Sequence, residues 1–290
     1  MTTLEVDQCQ LNDTQFHEIS SLVKTLCGIN LHDGKRELVK ARLSKRIRQL
    51  GMASFSDYIG YVRSAENPRE LTAMLDSLST NLTHFFREQA HFDYLADVLL
   101  PARLEAMRKT SVDAARTDPQ QPPLKIWSAG CSSGEEPYSI AMALADAAPL
   151  RPAMAKILAT DLCTQVLAKA RRGVYDAHRL RDVPQALRNS YFEKLTAGPA
   201  GQYRIRETIR ANIVFARLNL MEPWPMSGSF DAIFCRNVMI YFDKLTQARL
   251  IDRFWKALCP GGVLMVGHSE SLSGIAHRYK YVQPAVYQKP

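Results

Sequence analysis

Cysteine is sparse in this chain, six in 290 residues at positions 9, 27, 131, 163, 235 and 259, and no two of them form a Cys-x-x-Cys pair. No His/Cys cluster has zinc-finger spacing, so no metal site is expected from the sequence. Cysteines scattered in this way read as small core residues of a reducing compartment. The opening MTTLEVDQCQ has neither a charged n-region nor an apolar h-region, so no signal peptide is expected. No uninterrupted apolar run reaches the ~20 residues of a membrane span. Internal repeats and low-complexity tracts are absent as well. These absences predict a soluble, cytoplasmic protein.

What is present is a globular composition, 46% hydrophobic, with a net charge of +8 and a pI of about 9.2. That is enough apolar content for a real core, and the basic balance points to acidic partners. Residues 1–90 read as an all-α unit without strand-like alternation. Within them GKRELVKARLSKRIRQLG (34–51) places Leu38, Val39, Leu43, Ile47 and Leu50 at helical spacing, with Gly51 as a stop. The remainder of that helix carries Lys35, Arg36, Lys40, Arg42, Lys45, Arg46 and Arg48 against one acid, Glu37. Residues 91–123 are assigned to a linker. Its first part, 92–109, is a possible helix of either neighbour, and its second, 111–123, is a polar, proline-rich loop. From 124 to 290 apolar runs at 123–130, 155–162, 212–220, 230–238 and 261–269 alternate with helical stretches. This predicts an α/β domain with a mostly parallel, Rossmann-like sheet. YKYVQPAVYQK would close the sheet as an edge strand or hairpin, and the insertion 173–211 would form a small antiparallel subdomain.

Ligands of such sheets bind at the carboxyl ends of the strands. After the first strand comes AGCSSGEEPYSIA, a glycine turn leading into a helix with Pro137 in its first turn. It lacks GxGxxG, and a plain strand-to-helix turn is an equal reading. Glu135 and Glu136 begin that helix, where they favour its dipole and repel an anion. A cationic or zwitterionic ligand such as S-adenosylmethionine suits them better than NAD or ATP. Asp161 ends the second strand, where it can accept from both ribose hydroxyls or simply cap the next helix. Asn219-Leu220 follow the third strand. Arg236-Asn237 follow the fourth, in FCRNVMIYF, where a cleft would spare the arginine from burial.

The combination NLTHFFRE (81–88), AGCSSGEEPYSIA (129–141), ATDL (159–162), FDAIFCRNVMIYFDK (230–244) and GHSE (267–270) resembles the chemoreceptor glutamate methyltransferases, the CheR family. The resemblance covers nearly the whole chain. It implies an all-α N-terminal domain that recognises the receptor, and a Rossmann-like methyltransferase domain with a β-subdomain. It further implies S-adenosylmethionine as methyl donor, S-adenosylhomocysteine as product, and methyl-accepting chemotaxis receptors as partners. Carried over by position, Asn81, Thr83, Arg87, Glu135, Asp161, Asn219, Leu220, Arg236 and Asn237 would hold the cofactor. Arg87 and Tyr241 would lie nearest the transferred methyl, and His84 receives no role. Lys35, Arg36, Lys40, Arg42, Lys45 and Arg46 would dock acidic receptor helices. A receptor tether peptide on the β-subdomain is a further implied contact, and nothing demands more than a monomer.

Taken singly, Asn81 and Thr83 are more readily helix caps, Tyr241 a half-buried tyrosine, and an arbitrary basic stripe a solvated face. Their joint occurrence favours the site. A glutamate with a pKa near 4.3 is already a nucleophile at neutral pH, so no general base is required. An arginine and a tyrosine hydroxyl would then orient it. A nucleic-acid methyltransferase would want a motif of the Asn/Asp-Pro-Pro-Tyr/Phe type where this chain has RNVMIY. It would also want aromatics among the basic residues, and 34–51 has none. A non-catalytic receptor adaptor is the alternative that stays open, and a dinucleotide oxidoreductase is disfavoured by the two glutamates.

Overall fold

The computed structural model describes residues 10–64, 67–110, 124–149, 155–196, 199–226 and 228–290. The proline-rich loop 111–123 and nine of the ten residues of the opening MTTLEVDQCQ lie outside them. Among the described residues no helix is long and apolar enough to cross a membrane.

Four helices build the N-terminal unit: α1 (Asp13–Cys27), α2 (Arg36–Gln49), α3 (Phe55–Arg63) and α4 (Pro68–Leu78). Helix α1 starts in a reciprocal capping box between Asn12 and Gln15 and stops at left-handed Gly28, satisfying end groups that the helix itself cannot. Val39, Leu43 and Ile47 of α2 turn inward against Phe16, Ile19, Tyr58 and Leu75. This is the apolar stripe expected from the sequence.

Residues 90–110 are no linker. They form α5 (Ala90–Tyr94), a π-helical turn (Leu95–Leu99) and α6 (Leu100–Thr110). Phe92, Leu95, Leu99 and Leu100 are buried in the core of the second unit. Pro101 accounts for the wide turn: it has no N–H for the carbonyl four residues back and its ring collides with it, so the helix loosens just before it.

The second unit carries a seven-stranded sheet in the order β6-β2-β1-β7-β8-β10-β9. Its strands are β1 (Leu124–Ala129), β2 (Ala155–Asp161), β6 (Ile213–Arg217), β7 (Phe230–Cys235), β8 (Leu258–Val266), β9 (Lys280–Gln283) and β10 (Val286–Gln288). The first five are mutually parallel, and β10 runs antiparallel to both β8 and β9. Successive side chains go to opposite faces. Thus Ile126, Phe234 and Met265 join one core layer, while Trp127, Ile233 and Leu264 join the other. Helix α7 (Glu135–Ala147) packs with the first layer and α11 (Lys244–Ala257) with the second. Within the insertion, β3 (Val174–Asp176), β4 (Phe192–Lys194) and β5 (Gln202–Ile205) form a separate antiparallel sheet in the order β3-β5-β4. Phe85 of the connecting segment meets Tyr175 and Phe192 edge-on, at ring centroids 4.9 and 5.6 Å apart.

The two units are pinned together at the ends of the parallel strands. Ile29 forms an antiparallel bridge with Phe242, and Asn30 N–H donates to the Tyr241 carbonyl at 2.8 Å. Asn219 Nδ2 donates to the Leu26 carbonyl at 2.6 Å. Asp76 at the end of α4 accepts from the N–H and hydroxyl of Thr164 at 3.0 and 2.5 Å, at the start of α8 (Thr164–Arg172).

Candidate active site

Strand order reverses between β1 and β7, and a cleft opens where their carboxyl ends diverge, as expected for a switch point. It encloses an empty volume of about 1280 Å³, including its mouth. Asn81, Thr83, Arg87, Asp161, Asn219, Leu220, Arg236, Asn237 and Tyr241 all line it. Glu135 does not, and its neighbour Glu136 does. From the helical unit Lys35 and Leu38 reach the same cleft.

The turn after β1 lies flush against the loop after β7. Gly130 has φ +90°, and a Cβ there would come within 2.4 Å of Val238 Cγ2. Only glycine accepts both demands. Ser132 then donates its N–H to Asp161 Oδ2 at 2.8 Å and its hydroxyl to the Asn81 carbonyl at 2.9 Å. The other Asp161 oxygen accepts Cys163 N–H at 2.8 Å. Asp161 therefore serves the backbone at the start of α8 while also lining the cleft. Burial raises its pKa, and the two main-chain N–H groups oppose that rise.

The charges in the floor are matched internally. Arg236 is 6% exposed, contrary to the expectation that a cleft would spare it from burial. Its guanidinium meets Glu88 and Glu136, each at 3.1 Å, and donates to the Arg87 carbonyl. Glu136 also accepts from the Ser128 hydroxyl at 2.7 Å. Glu135 is 1% exposed, takes a hydrogen bond from Ser133 at 2.7 Å and faces Arg179 at 3.3 Å. Burial raises the pKa of both glutamates, and the facing arginines pull the other way. The two acids are thus arginine-compensated rather than bare. Their repulsion of an anion is correspondingly weaker than the sequence implied.

Other side chains divide between anchoring and reaching. Asn219 spends its amide on Leu26, on Glu222 at 3.0 Å and on Met221 N–H at 3.0 Å. Asn81 Nδ2 lies 3.6 Å from Cys163 Sγ, and the Thr83 carbonyl accepts from Arg179 at 3.0 Å. Arg87 makes a long 3.3 Å contact to the Leu82 carbonyl, leaving most of its donors toward the cleft. Phe86, Glu88, Ser132 and Asn237 all have φ between +49° and +58°. Uncommon backbone of this kind concentrates at functional sites.

Half of the assigned docking residues have internal partners. Arg46 grips Glu70 through two contacts of 2.8 and 2.5 Å, and Tyr58 adds a third at 3.0 Å. Arg42 donates to the carbonyls of Leu78 and Ser79 at 2.7 and 3.0 Å, closing the end of α4. Arg36 pairs with Asp13 and lies over the Phe16 ring at 5.1 Å. Lys35 and Lys45 are exposed and Lys40 half-buried. Sequence reasoning gave no role to Glu88, Ser132 or Glu270, and gave Glu136 only a part in the charge at the helix start. Glu88 and Glu270 lie within the recognised motifs NLTHFFRE and GHSE, which was the available signal. Glu88, His91 and His268 also bring metal-ligand-type atoms within 4.8 Å of one another, but Glu88 is already committed to Arg236 and to the His268 N–H at 3.1 Å.

Fold and cleft together define a Rossmann-like domain with a ligand site at its switch point, capped by a helical unit. Residues 14–79 match the CheR methyltransferase all-alpha domain and residues 81–287 the CheR methyltransferase SAM-binding domain. The protein belongs to the CheR methyltransferase family. A chemotaxis protein methyltransferase of Escherichia coli is 41% identical over 283 residues, covering 97% of this chain and 92% of its own. Chemotaxis protein methyltransferase 2 of Pseudomonas aeruginosa is 41% identical over 273 residues, with 94% and 91% covered. A chemotaxis protein methyltransferase of Borreliella burgdorferi is 38% identical over 278 residues, with 94% of each chain covered. The boundary between the matched domains falls at Thr80, so residues 81–90, expected in the helical unit, and 91–110, expected in a linker, fall within the match to the SAM-binding domain.

Proposed function

We propose that this protein esterifies glutamate side chains of methyl-accepting chemotaxis receptors, with S-adenosylmethionine as the donor, acting in the cytoplasm as a monomer. The observation that carries the reading is that Arg87 and Tyr241 share one cleft with Asp161 and the Arg236–Glu136 pair, beneath a basic helical unit. When bound, S-adenosylmethionine supplies an electrophilic methyl on a sulfonium. Asp161 keeps lone pairs beyond its two backbone bonds and would accept from ribose hydroxyls. Asn81, Thr83, Asn219, Leu220 and Asn237 would enclose the remainder of the cofactor, and Glu135 would act from behind the wall rather than by contact.

The substrate carboxylate is ionised at neutral pH, so the chain has no proton to remove. Its task is to aim one oxygen along the line of displacement and hold the other still. Arg87, with donors uncommitted toward the cleft, and the Tyr241 hydroxyl suit that task, because both donate to an anion. Lys35, Lys40 and Lys45 would meet acidic receptor helices. The small sheet leaves β3 and β4 as edges on which a tether peptide could add a strand.

The test is transfer of labelled methyl from S-adenosylmethionine to receptor-containing membranes, followed by mild alkali. Alkali-labile label on the receptor band is the expected result. Alkali-stable label would overturn the carboxyl ester, and cofactor binding without transfer would favour the receptor adaptor.

A further inference from the structure

Glu270 lies outside the cleft lining and is 7% exposed, yet it holds the loop on which the proposed chemistry depends. Its Oε2 accepts the N–H of Asn237 and that of Gly267, both at 2.7 Å. Its Oε1 accepts the N–H of Ile240 at 3.1 Å. The charge is met by main-chain N–H groups converging from two loops, those after β7 and β8. Such charge-assisted bonds are roughly twice as strong as neutral ones. Asn237 is left-handed, with φ +58°, and a Cβ on Gly267 would come within 2.7 Å of Asn237 Nδ2 and 2.9 Å of Glu270 Oε2. The two loops are therefore seated on one another around a single carboxylate, with Tyr241 next in the chain after Ile240.

We infer that Glu270 is a positioning residue for methyl transfer: it fixes the Asn237–Tyr241 turn so that the Tyr241 side chain is preset in the cleft. This rests on the reading that Tyr241 orients the substrate carboxylate. A glutamine at 270 would turn an amide donor toward at least one N–H donor, so the turn would lose its seat while the side chain kept its volume. The test is a double-mutant cycle on kcat with Glu270→Gln and Tyr241→Phe, read beside cofactor Kd and thermal stability. Each single change lowers kcat about 10–100-fold, and the double variant falls no more than about threefold below the worse single. Losses that multiply in the double variant, or a Glu270→Gln enzyme with unchanged kcat, would overturn the role of Glu270. An unchanged kcat for Tyr241→Phe would instead overturn the reading of Tyr241. Should Glu270→Gln not fold, Gly267→Ala presses on Asn237 from the same side, and the same non-multiplying loss is expected of it.

Discussion

Two arginines, Arg46 in the helical unit and Arg236 at the tip of β7, look alike in the sequence and are used differently in the fold. Each was expected to face something outside the chain, a receptor helix for Arg46 and the cofactor for Arg236. Each instead closes on glutamates of its own chain, buried Glu70 at 5% exposure for the first, half-buried Glu88 and Glu136 for the second. The difference lies in what is joined. Arg46 ties α2 to α4 and stays out of the cleft. Arg236 ties the connecting segment, the first turn of α7 and the end of β7 into the cleft floor. A buried ion pair adds little net stability, but losing one partner strands the other charge. The same chemistry therefore makes one pair a brace between helices and the other part of the site.

The sharpest way to break this comparison is to remove each guanidinium. Arg236→Met would leave Glu88 and Glu136 at the cleft floor without their cation, with the Ser128 hydroxyl and the His268 N–H still donating to them. Roughly 3–5 kcal/mol of stability is expected to go with it, together with most cofactor affinity, measured by chemical denaturation and calorimetric titration. Arg46→Met strands one carboxylate that still accepts from Tyr58, so a smaller loss of about 2–3 kcal/mol is expected. Cofactor Kd should stay within about twofold, because nothing in the cleft is touched. Equal loss of cofactor affinity in both variants would refute the distinction.

The same contrast explains what could be read before the fold. The strand cores were legible because a buried parallel strand is a short apolar run, and the observed strands lie largely within the expected ones. The strand ends then named Asp161, Asn219, Leu220, Arg236 and Asn237 in the cleft lining, while Asn81, Thr83, Arg87 and Tyr241 came from the family resemblance. Arginine partners were not legible: Glu88 lies 148 residues from Arg236, beyond any local pattern. Arg46 and Glu70 are 24 apart, on helices whose pairing no periodicity specifies. The resemblance named Glu135 for the cofactor, yet Glu136 is the one that lines the cleft, because the helix phase decides which of two adjacent residues faces it. The run 92–109 reads as a possible helix but could not be given to either neighbour, because its apolar residues gave no address for their partners.

A second comparison, of histidine with arginine, concerns pH. His91 is wholly buried, and its pKa is lowered to about 4, by burial first and by Arg236 next. An unfolded histidine has its usual value near 6.5, so between these limits the unfolded chain binds more protons than the folded one. Stability should therefore rise with pH from about 4 to 6.5, by about 3 kcal/mol over the whole window. His91→Phe should flatten that part of the profile in urea unfolding, since the site already faces Phe234. A slope unchanged by the substitution would assign the dependence to other groups.

The smallest expected effect concerns the charges that remain outward on α2. Arg42 and Arg46 are poor probes of docking, since reversing either breaks a contact inside the helical unit. Lys45 and Arg48 are exposed, and reversing both to glutamate should alter the surface field alone. If α2 meets acidic receptor helices, the double reversal should raise the receptor KM about three- to tenfold at low salt, with kcat and cofactor Kd unchanged. The effect should shrink toward twofold or less as ionic strength approaches 0.5 M, because exposed charges are screened within a few ångströms there. A KM increase that persists at high salt would point to lost packing rather than lost attraction. An unchanged KM at low salt would move the docking surface off α2, leaving its basic stripe a solvated face.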